Sequence, residues 1–514
     1  MSRQIAECIL PALADQVLRE SNEHEEMTSS MENSRMQIRK RQSQEEEKNT
    51  VEKGQLEADE PKRGKLYGCC NNRREFYRYG TDNHTCDSEN QCQISPGDEM
   101  MTNKKTRYCM DCWEDEENTV TQNLDRDSFW KMEHWNQDFE ATVECSKCYV
   151  EYHAVCENYL DDVVDEEEFV CRKCGGAQLP TTLDSMERSE WDLEMEKECN
   201  KILAGLKDGN PENEISVVSF KTVKNVGFEK VVPRRLVEEY KKEWNMETKS
   251  KLTFEVRSIY IFQRIDGVDT PFLALYTQEY PTRKLCVLDY LDTVPFTTPN
   301  KLRPICTEAL ILGYYRFMAS KGFQRCHLWA KAPVKFDSYA FVNHPVDQRY
   351  LDQVDLETWY MDIFTKGESR GVVERFWDFE EEYEAEEEID PIKLPVYSGS
   401  QWSLELEDAD QYLKGRFPEG IEKQEVYKQL VMSTLVMNRL KFVDSHFTAE
   451  LKNPETDLEK IKKRSEEDFL FKNGYLDNRE VFMRECRKRK WEFSTLRRAK
   501  HSAIGIINVF MGLD

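Results

Sequence analysis

The sequence predicts an α/β (α+β) domain over about 183–514, with a central mixed sheet and surrounding helices. A small zinc-binding module and a disordered N-terminal tail precede it. Three observations carry this. Segments with strand character, such as RSIYIFQRI (257–265) and TPFLALYTQEY (270–280), alternate with segments of helical period. Of 17 cysteines, 11 fall between Cys69 and Cys174 in closely spaced pairs. From Ser21 to about residue 66 the chain is polar and charged, with almost nothing to bury.

Residues 1–66 open with IAECILPALADQVL, whose acidic residues predict a short amphipathic helix rather than an export signal. RMQIRKR (35–41) reads equally as a nuclear-import candidate or a chance basic patch. Residues 67–176 are the cysteine- and histidine-rich module, and 183–207 carry apolar residues at helical spacing. Strand signals follow in EISVVSFKTV, RSIYIFQRI, TPFLALYTQEY, RKLCVLDYLDTV and RCHLWA, with IDGVD as a hairpin turn between the second and third. ICTEALILGYYRFMASKG reads as a helix stopped by its glycine. After Trp359 the pattern is mainly helical, and FSTLRRAKHSAIGIINVFM closes the chain as a long helix.

The formal charge is −26 and 33% of residues are charged, which reads as a soluble chain. No apolar run approaches the ~18 residues that span a bilayer, which argues against a membrane role. The acidity makes duplex DNA a poor direct partner and suits basic proteins and basic tails. The densest acidic run, DFEEEYEAEEEID (378–390), reads first as solvated surface.

Cys69, Cys70, Cys86, Cys92, Cys109, Cys112, Cys145, Cys148, His153, Cys156, Cys171 and Cys174 make eleven thiols and one imidazole. Structural zinc takes four S/N ligands, so twelve predict three Zn²⁺. The last six resemble the second part of a PHD finger, whose interleaving puts Cys145, Cys148, Cys171 and Cys174 on one metal. The preferred partition gives a second zinc to Cys86, Cys92, Cys109 and Cys112 in a reduced RING. That RING is inserted into the PHD, and Cys69 and Cys70 join His153 and Cys156. The rival partition pairs Cys109 and Cys112 with His153 and Cys156. The six cysteines outside the module read as small buried hydrophobes.

HLWAKAP (327–333), YAFVNHPVDQ (339–348) and ETWYMDIF (357–364) crowd polar-tipped aromatics around loops. Together with FQRIDGVDTPFLALYTQEY, YLDTVPF, LRPICTEALILGYY, LDNRE and WEFSTLRRAKHS, and with the zinc region, they resemble the CREB-binding protein family of histone/lysine acetyltransferases. The likeness runs in order over 67–514. It implies a nuclear lysine acetyltransferase using acetyl-CoA, coactivator-like in transcription. Histones and other basic nuclear proteins would be substrates, with transcription factors or chromatin complexes as partners. By resemblance Tyr360 is the general acid and Trp329 lines the lysine tunnel. Leu291, Asp292, Thr293, Arg303, Pro304, Trp329, Trp359 and Tyr360 stand at CoA-binding positions. Asp477 and Glu480 stand where basic residues flanking the target lysine are received.

Departures accompany the likeness. No bromodomain precedes the module, and the lysine-rich autoinhibitory loop is missing at 404–425. Pro304, Thr307, Lys331 and Leu351 replace Thr, Tyr, Cys and Pro, and Ser398 replaces an acidic residue. These features read as a shortened paralogue. The residues suit the chemistry. A tyrosine of pKa ~10 stays protonated at neutral pH and can protonate a thiolate whose thiol has pKa ~8.5. Indole walls exclude water, and an arginine fork grips phosphate. Two readings stay open, an active acetyltransferase and a catalytically weakened scaffold. Ubiquitin ligation is disfavoured because the RING lacks a full ligand set. His344 reads as a loop organiser, and RKRK (487–490) as a solvated helix face.

Overall fold

The computed structural model describes residue 69, residues 78–205 apart from 89–91, 104, 116–117, 137 and 177, and residues 217–231, 251–299, 301–378, 446–468 and 473–512. The N-terminal tail, Cys70, nearly all of the acidic run, Ser398 and the 404–425 segment lie outside these residues. Leu66–Asp514 form one compact unit. Among the described residues no helix is long and apolar enough to cross a membrane.

The cysteine-rich part is built from short pieces. β1 (His84–Thr85) pairs with β2 (Gln93–Ile94). β3 (Glu99–Thr102) is flanked by β4 (Arg107–Cys109) and, after α1 (Met110–Glu114) and α2 (Thr119–Gln122), by β5 (Trp130–Glu133). β6 (Thr142–Glu144) pairs with β7 (Glu151–His153), which runs into α3 (Ala154–Glu157). Elements this short bury too little apolar surface to hold themselves, so cross-links must supply the difference.

The rest is a seven-stranded sheet between helices. α4 (Glu190–Gly205) is followed by β8 (Val218–Val231), β9 (Lys251–Ile265), β10 (Val268–Tyr280) and β11 (Leu285–Thr293). α5 (Leu302–Ser320), β12 (Arg325–Trp329), α6 (Gln353–Ser369), β13 (Val373–Asp378) and β14 (His446–Leu451) come next, and α7 (Leu458–Glu467), α8 (Arg479–Lys488) and α9 (Leu496–Met511) complete it. The order is β13-β14-β12-β11-β10-β9-β8. β11 and β12 run parallel and the other neighbours antiparallel, so the sheet is mixed as expected. The β9–β10 hairpin turns on Asp266 and Gly267, both at positive φ, which suits a two-residue primed turn.

Two corrections follow. The region after Trp359 is not purely helical, since β13 and β14 extend the sheet at one edge. β13, VERFWD, carries no alternation, whereas β14, HFTAEL, alternates polar and apolar residues throughout. The helix expected from residue 183 begins at Glu190. Ser189 and Asp192 form a reciprocal capping box there, at 3.1 and 3.0 Å, and Leu183 is buried in the core.

Alternation along β9 sorts the layers. Tyr260 and Phe262 face Phe510 of α9, and Tyr260 also meets Phe482 of α8. Arg257 points the other way, its guanidinium 5.1 Å from the Phe317 ring of α5. Trp191 of α4 and Phe364 of α6 pack on that same side. α4 also guards an edge. Its Asp192, Glu196 and Asn200, four residues apart, accept from the backbone N–H groups of Thr222, Phe220 and Val218 at 3.4, 2.9 and 2.9 Å. Outer-edge donors of β8 that would otherwise await another strand are thereby satisfied.

Beneath α5 lies a buried ion cluster. Arg257 bonds Glu279 at 2.6 Å and Asp468 at 2.6 Å, and Asp468 also takes Lys224 at 3.1 Å and Lys321 at 2.7 Å. Burial alone would raise the Asp468 carboxyl, but Arg257, Lys321 and Lys224 overcome this and hold it well below the usual carboxylate range. The cluster ties the end of α7 to three strands. A group depressed in this way stabilises the fold above its unfolded pKa, near 4, and loses that contribution as pH falls. Asp468→Asn should cost ~3–5 kcal/mol in denaturant titrations at pH 7, because it strands buried cations. Wild type should lose stability below about pH 4 more steeply than the variant.

Candidate active site and metal centres

Three groups of thiols and imidazole converge in the N-terminal module. The ligand atoms lie within 4.8 Å of one another in Cys145–Cys148–Cys171–Cys174, in Cys69–His153–Cys156, and in Cys86–Cys109–Cys112. Cys92 joins the last, its Sγ 3.6 Å from that of Cys112. This grouping follows the preferred partition and separates Cys109 and Cys112 from His153. Cys70 lies outside the described residues.

One motif recurs in all three. The backbone N–H of a later ligand donates to the first thiol at 3.3 Å: Cys171 to Cys145, His153 to Cys69, and Cys109 to Cys86. Such donors favour the thiolate. Burial would raise the Cys145 thiol, but the N–H groups of Cys171, Cys148 and Lys147 bring it down to about 6. Soft donors, four or nearly four per group, with the first thiol of each accepting a backbone N–H, fit structural zinc.

α9 grips this module. Arg497 and Arg498 at its start both bond the fully buried Glu140, at 2.6 and 2.7 Å, and Arg497 also reaches Cys156 Sγ at 3.3 Å. Arg498 pairs in addition with Glu492, whose other oxygen accepts from Gly80 N–H at 2.7 Å and Asn343 Nδ2 at 3.0 Å. A Cβ on Gly80 would come within 2.7 Å of the Asn343 side chain, so the close approach requires glycine there. RKRK is not simply solvated. Arg487 meets Asp82 at 2.5 Å, Lys490 meets Asp138 at 3.0 Å and Arg489 meets Asp162, all acids of the module.

Parallel pairing of β11 with β12 runs from Leu285↔Arg325 to Leu288↔Leu328 and stops. β11 continues to Thr293 along β10, and among the described residues no strand pairs with its other side over 289–293. Trp329 is the next residue on β12. Its indole stacks flat on His446, 5.4 Å away at 5°. α6 closes the opening. Gln353 Nε2 donates to Ala330 O at 2.6 Å and its Oε1 accepts from Ala332 N–H at 2.9 Å. Two turns on, Trp359 and the buried Tyr360 sit edge to face at 4.8 Å. Burial pushes the Tyr360 phenol well above its ordinary value.

Asp292 is spent on structure. One carboxylate oxygen accepts from Ala340 and Phe341 N–H at 2.7 and 2.9 Å, and the other meets His344 Nε2 at 2.8 Å. His344 therefore organises the loop, as its sequence context suggests. Gln348 Nε2 donates to Thr293 O at 3.0 Å. Arg303, in the first turn of α5, is half-buried; burial lowers its guanidinium, and no carboxylate pairs with it among the described residues. Gln263 anchors the loop before that helix through both Thr298 backbone groups, at 2.6 and 2.8 Å. Pro304 is exposed beside Arg303, and Thr307 donates to the Arg303 carbonyl at 2.9 Å.

Leu291, Asp292 and Thr293 on β11, Trp329 on β12, and Trp359 and Tyr360 on α6 thus lie on elements tied through the 330–352 segment by Gln348 and Gln353. Asp477 and Glu480 do not share a surface: Asp477 is buried and Glu480 exposed. Sequence reasoning missed Tyr290, Tyr339 and Arg479. The two rings lie 6.1 Å apart, and Arg479 sits 3.8 Å above Tyr290 while donating to Tyr339 O at 2.8 Å. Burial, with Asp337 adding, pushes the Tyr339 phenol to about 12. Both tyrosines stand inside motifs already singled out, and polar-tipped aromatics beside a turn are the available signal.

The description "Histone acetyltransferase domain KAT3" matches residues 206–464. Protein cbp-1 of Caenorhabditis elegans is 24% identical over 432 residues, covering 73% of this chain and 21% of that protein. The probable histone acetyltransferase HAC-like 3 of Oryza sativa subsp. japonica is 22% identical over 475 residues, covering 72% and 37%. Histone acetyltransferase HAC12 of Arabidopsis thaliana is 21% identical over 489 residues, covering 72% and 28%. The matched stretches thus take up about a fifth to two fifths of these curated relatives.

Asp292→Asn keeps the volume but loses charged acceptance. It should cost ~1–3 kcal/mol, the size of a buried polar mismatch. Hydrogen exchange of the Ala340 and Phe341 amides should accelerate in the variant. Unchanged protection of both amides would mean the loop is held by other contacts.

Proposed function

The chain belongs to the KAT3 family of histone acetyltransferases, and on that premise we propose that it transfers acetyl from acetyl-CoA to lysine side chains of histones and other basic nuclear proteins. The observation that carries this is the buried phenol of Tyr360 beside Trp359, on the helix whose Gln353 is tied to the strand end bearing Trp329. The acceptor lysine must be neutral to attack the thioester carbonyl. As the C–S bond breaks, Tyr360 gives its proton to the leaving thiolate, and solvent takes the proton shed by the lysine. A phenol raised by burial is fully protonated at neutral pH, as a general acid must be.

The side of Leu291–Thr293 turned away from β10, where Gln348 takes the Thr293 carbonyl, suits the pantetheine arm, which hydrogen-bonds much as a strand does. The half-buried Arg303, lacking a carboxylate partner among the described residues, suits a phosphate. Pro304 adds a contact in the same turn. Trp329 walls the acceptor's path. Glu480 can meet a basic residue beside the target lysine, and Asp477 contributes its charge from within. The family's work on chromatin makes the nucleus the expected compartment, with transcription complexes as partners. In this reading residues 67–176 form the zinc module, 183–514 the catalytic domain and 1–66 a tail.

Three zincs complete the reading: one on Cys145, Cys148, Cys171 and Cys174, one on Cys69, Cys70, His153 and Cys156, and one on Cys86, Cys92, Cys109 and Cys112. Metal analysis of purified protein should return three per chain, and two or four would contradict the assignment. Chelation should unfold the module while most helicity survives, because the long helices belong to the sheet domain.

Tyr360→Phe keeps the ring and removes the proton. Turnover on histone peptides should fall ~10²–10⁴-fold, with acetyl-CoA affinity and melting temperature little changed. Trp329→Ala should weaken both stability and substrate binding, since it opens a wall and leaves a cavity. A Tyr360→Phe rate within about twofold of an active wild type would place the acid elsewhere. Wild type that binds acetyl-CoA but transfers nothing would favour the scaffold reading.

A further inference from the structure

Trp329, the last residue of β12, pairs across the ladder with His446 of β14, and two residues further in His327 pairs with Thr448. Side chains two apart on a strand share a face, so these four form one patch. Their contacts make a chain. His327 Nδ1 lies 2.8 Å from the Thr448 hydroxyl, and His327 Nε2 lies 3.3 Å from His446 Nδ1. The His446 ring in turn lies parallel to the Trp329 indole, at 5° and 5.4 Å between centroids. Thr448 and His327 are buried, while His446 and Trp329 are half-buried. The chain therefore runs from a fixed interior to the indole at the strand end. On its other side β12 gives that indole no matching support, because the parallel ladder with β11 stops at Leu328.

Packing alone does not call for this arrangement. An apolar pair would fill the same corner without taking two imidazoles out of water. What the imidazoles add is direction. A ring bonded at one edge cannot turn freely about its Cβ–Cγ bond, so His327 fixes the plane of His446, and offset stacking passes that plane to the indole. The bond between the rings needs one nitrogen to donate and the other to accept, and the Thr448 hydroxyl serves either polarity. We infer that His446, set by His327 and Thr448, is a positioning residue that holds the Trp329 indole in the wall of the acceptor's path. The inference rests on the acetyltransferase reading above. His446 acts through Trp329 and has no part in proton transfer, so its loss is felt in acceptor binding and not in the chemical step.

Steady-state kinetics of the full chain on a histone peptide with acetyl-CoA test this. His446→Phe keeps a flat ring against the indole and removes the bond to His327. Its peptide KM should rise about two- to tenfold, the range an aromatic pair is worth, with kcat within about twofold of wild type. Thr448→Val keeps the shape and removes the hydroxyl, and it should raise peptide KM in the same direction. Because both substitutions cut one chain, the double variant should be no worse than His446→Phe alone. A wild-type peptide KM in His446→Phe would overturn the inference and leave the enzyme reading intact. A wild-type peptide KM in Thr448→Val would do the same, and that variant decides the matter if His446→Phe does not fold. Additive effects in the double variant would mark two separate packing defects and also overturn it. A wild type that transfers nothing would overturn both readings.

Discussion

Only four residue pairs hold β11 to β12, and the rest of the described sheet must accommodate the point at which that ladder stops. A parallel pair that separates inside a sheet leaves backbone donors and acceptors facing each other across a gap, and buried ones must be satisfied. The chain answers with side chains instead of a strand. Asp292 collects the N–H groups of the loop, Gln348 serves Thr293 and Gln353 serves both sides of Lys331. Three polar residues thereby position every wall of the opening: the end of β11, the end of β12, and the helix with Trp359 and Tyr360.

The second constraint is electrostatic and joins the two halves of the described chain. α9 begins with two arginines, the wrong sign for a helix N-terminus. Glu140 and Glu492 offset them, and neither acid belongs to one half alone in its bonding. Because Glu492 also holds Asn343, one carboxylate bonds both the loop organised by Asp292 and the cysteine-rich module. Asn83 adds bonds to Lys335 O and Asp337 at 3.1 and 3.2 Å. The geometry of the opening and the integrity of the module are therefore linked by contiguous hydrogen bonds.

Much of this was legible in the sequence. The five strands from β8 to β12 and the closing helix follow from period and caps, with Thr495 and Gly512 bounding α9. Ligand arithmetic supplied only the number of groups; their membership came from the PHD resemblance and from a preferred partition that had a rival. Tyr360, Trp329 and Asp292 came from motif resemblance, but the task of Asp292 did not, since a carboxylate looks the same whether it meets a ligand or its own backbone. β13 was hidden because VERFWD, at the sheet edge and half charged, carries no clear alternation, whereas HFTAEL of β14 alternates polar and apolar residues, a readable signal that the helical reading missed. Arg479 was hidden because stacking on Tyr290 is a tertiary fact. The RKRK run misled because its acids lie about 330–400 residues away along the chain.

The edge guard on β8 bears on how the protein can be cut. The family match begins at residue 206, one residue after α4 ends. A recombinant fragment trimmed to that boundary would keep every residue of the opening up to its far end and still lose Asp192, Glu196 and Asn200. The bared strand would then offer the unsatisfied N–H groups of Val218, Phe220 and Thr222 to any other copy in solution. Self-association of such a fragment would report a missing helix, not a property of the intact chain. For the same reason a protease that nicks the segment between α4 and β8 would do little harm while the helix stays docked, and much once it leaves.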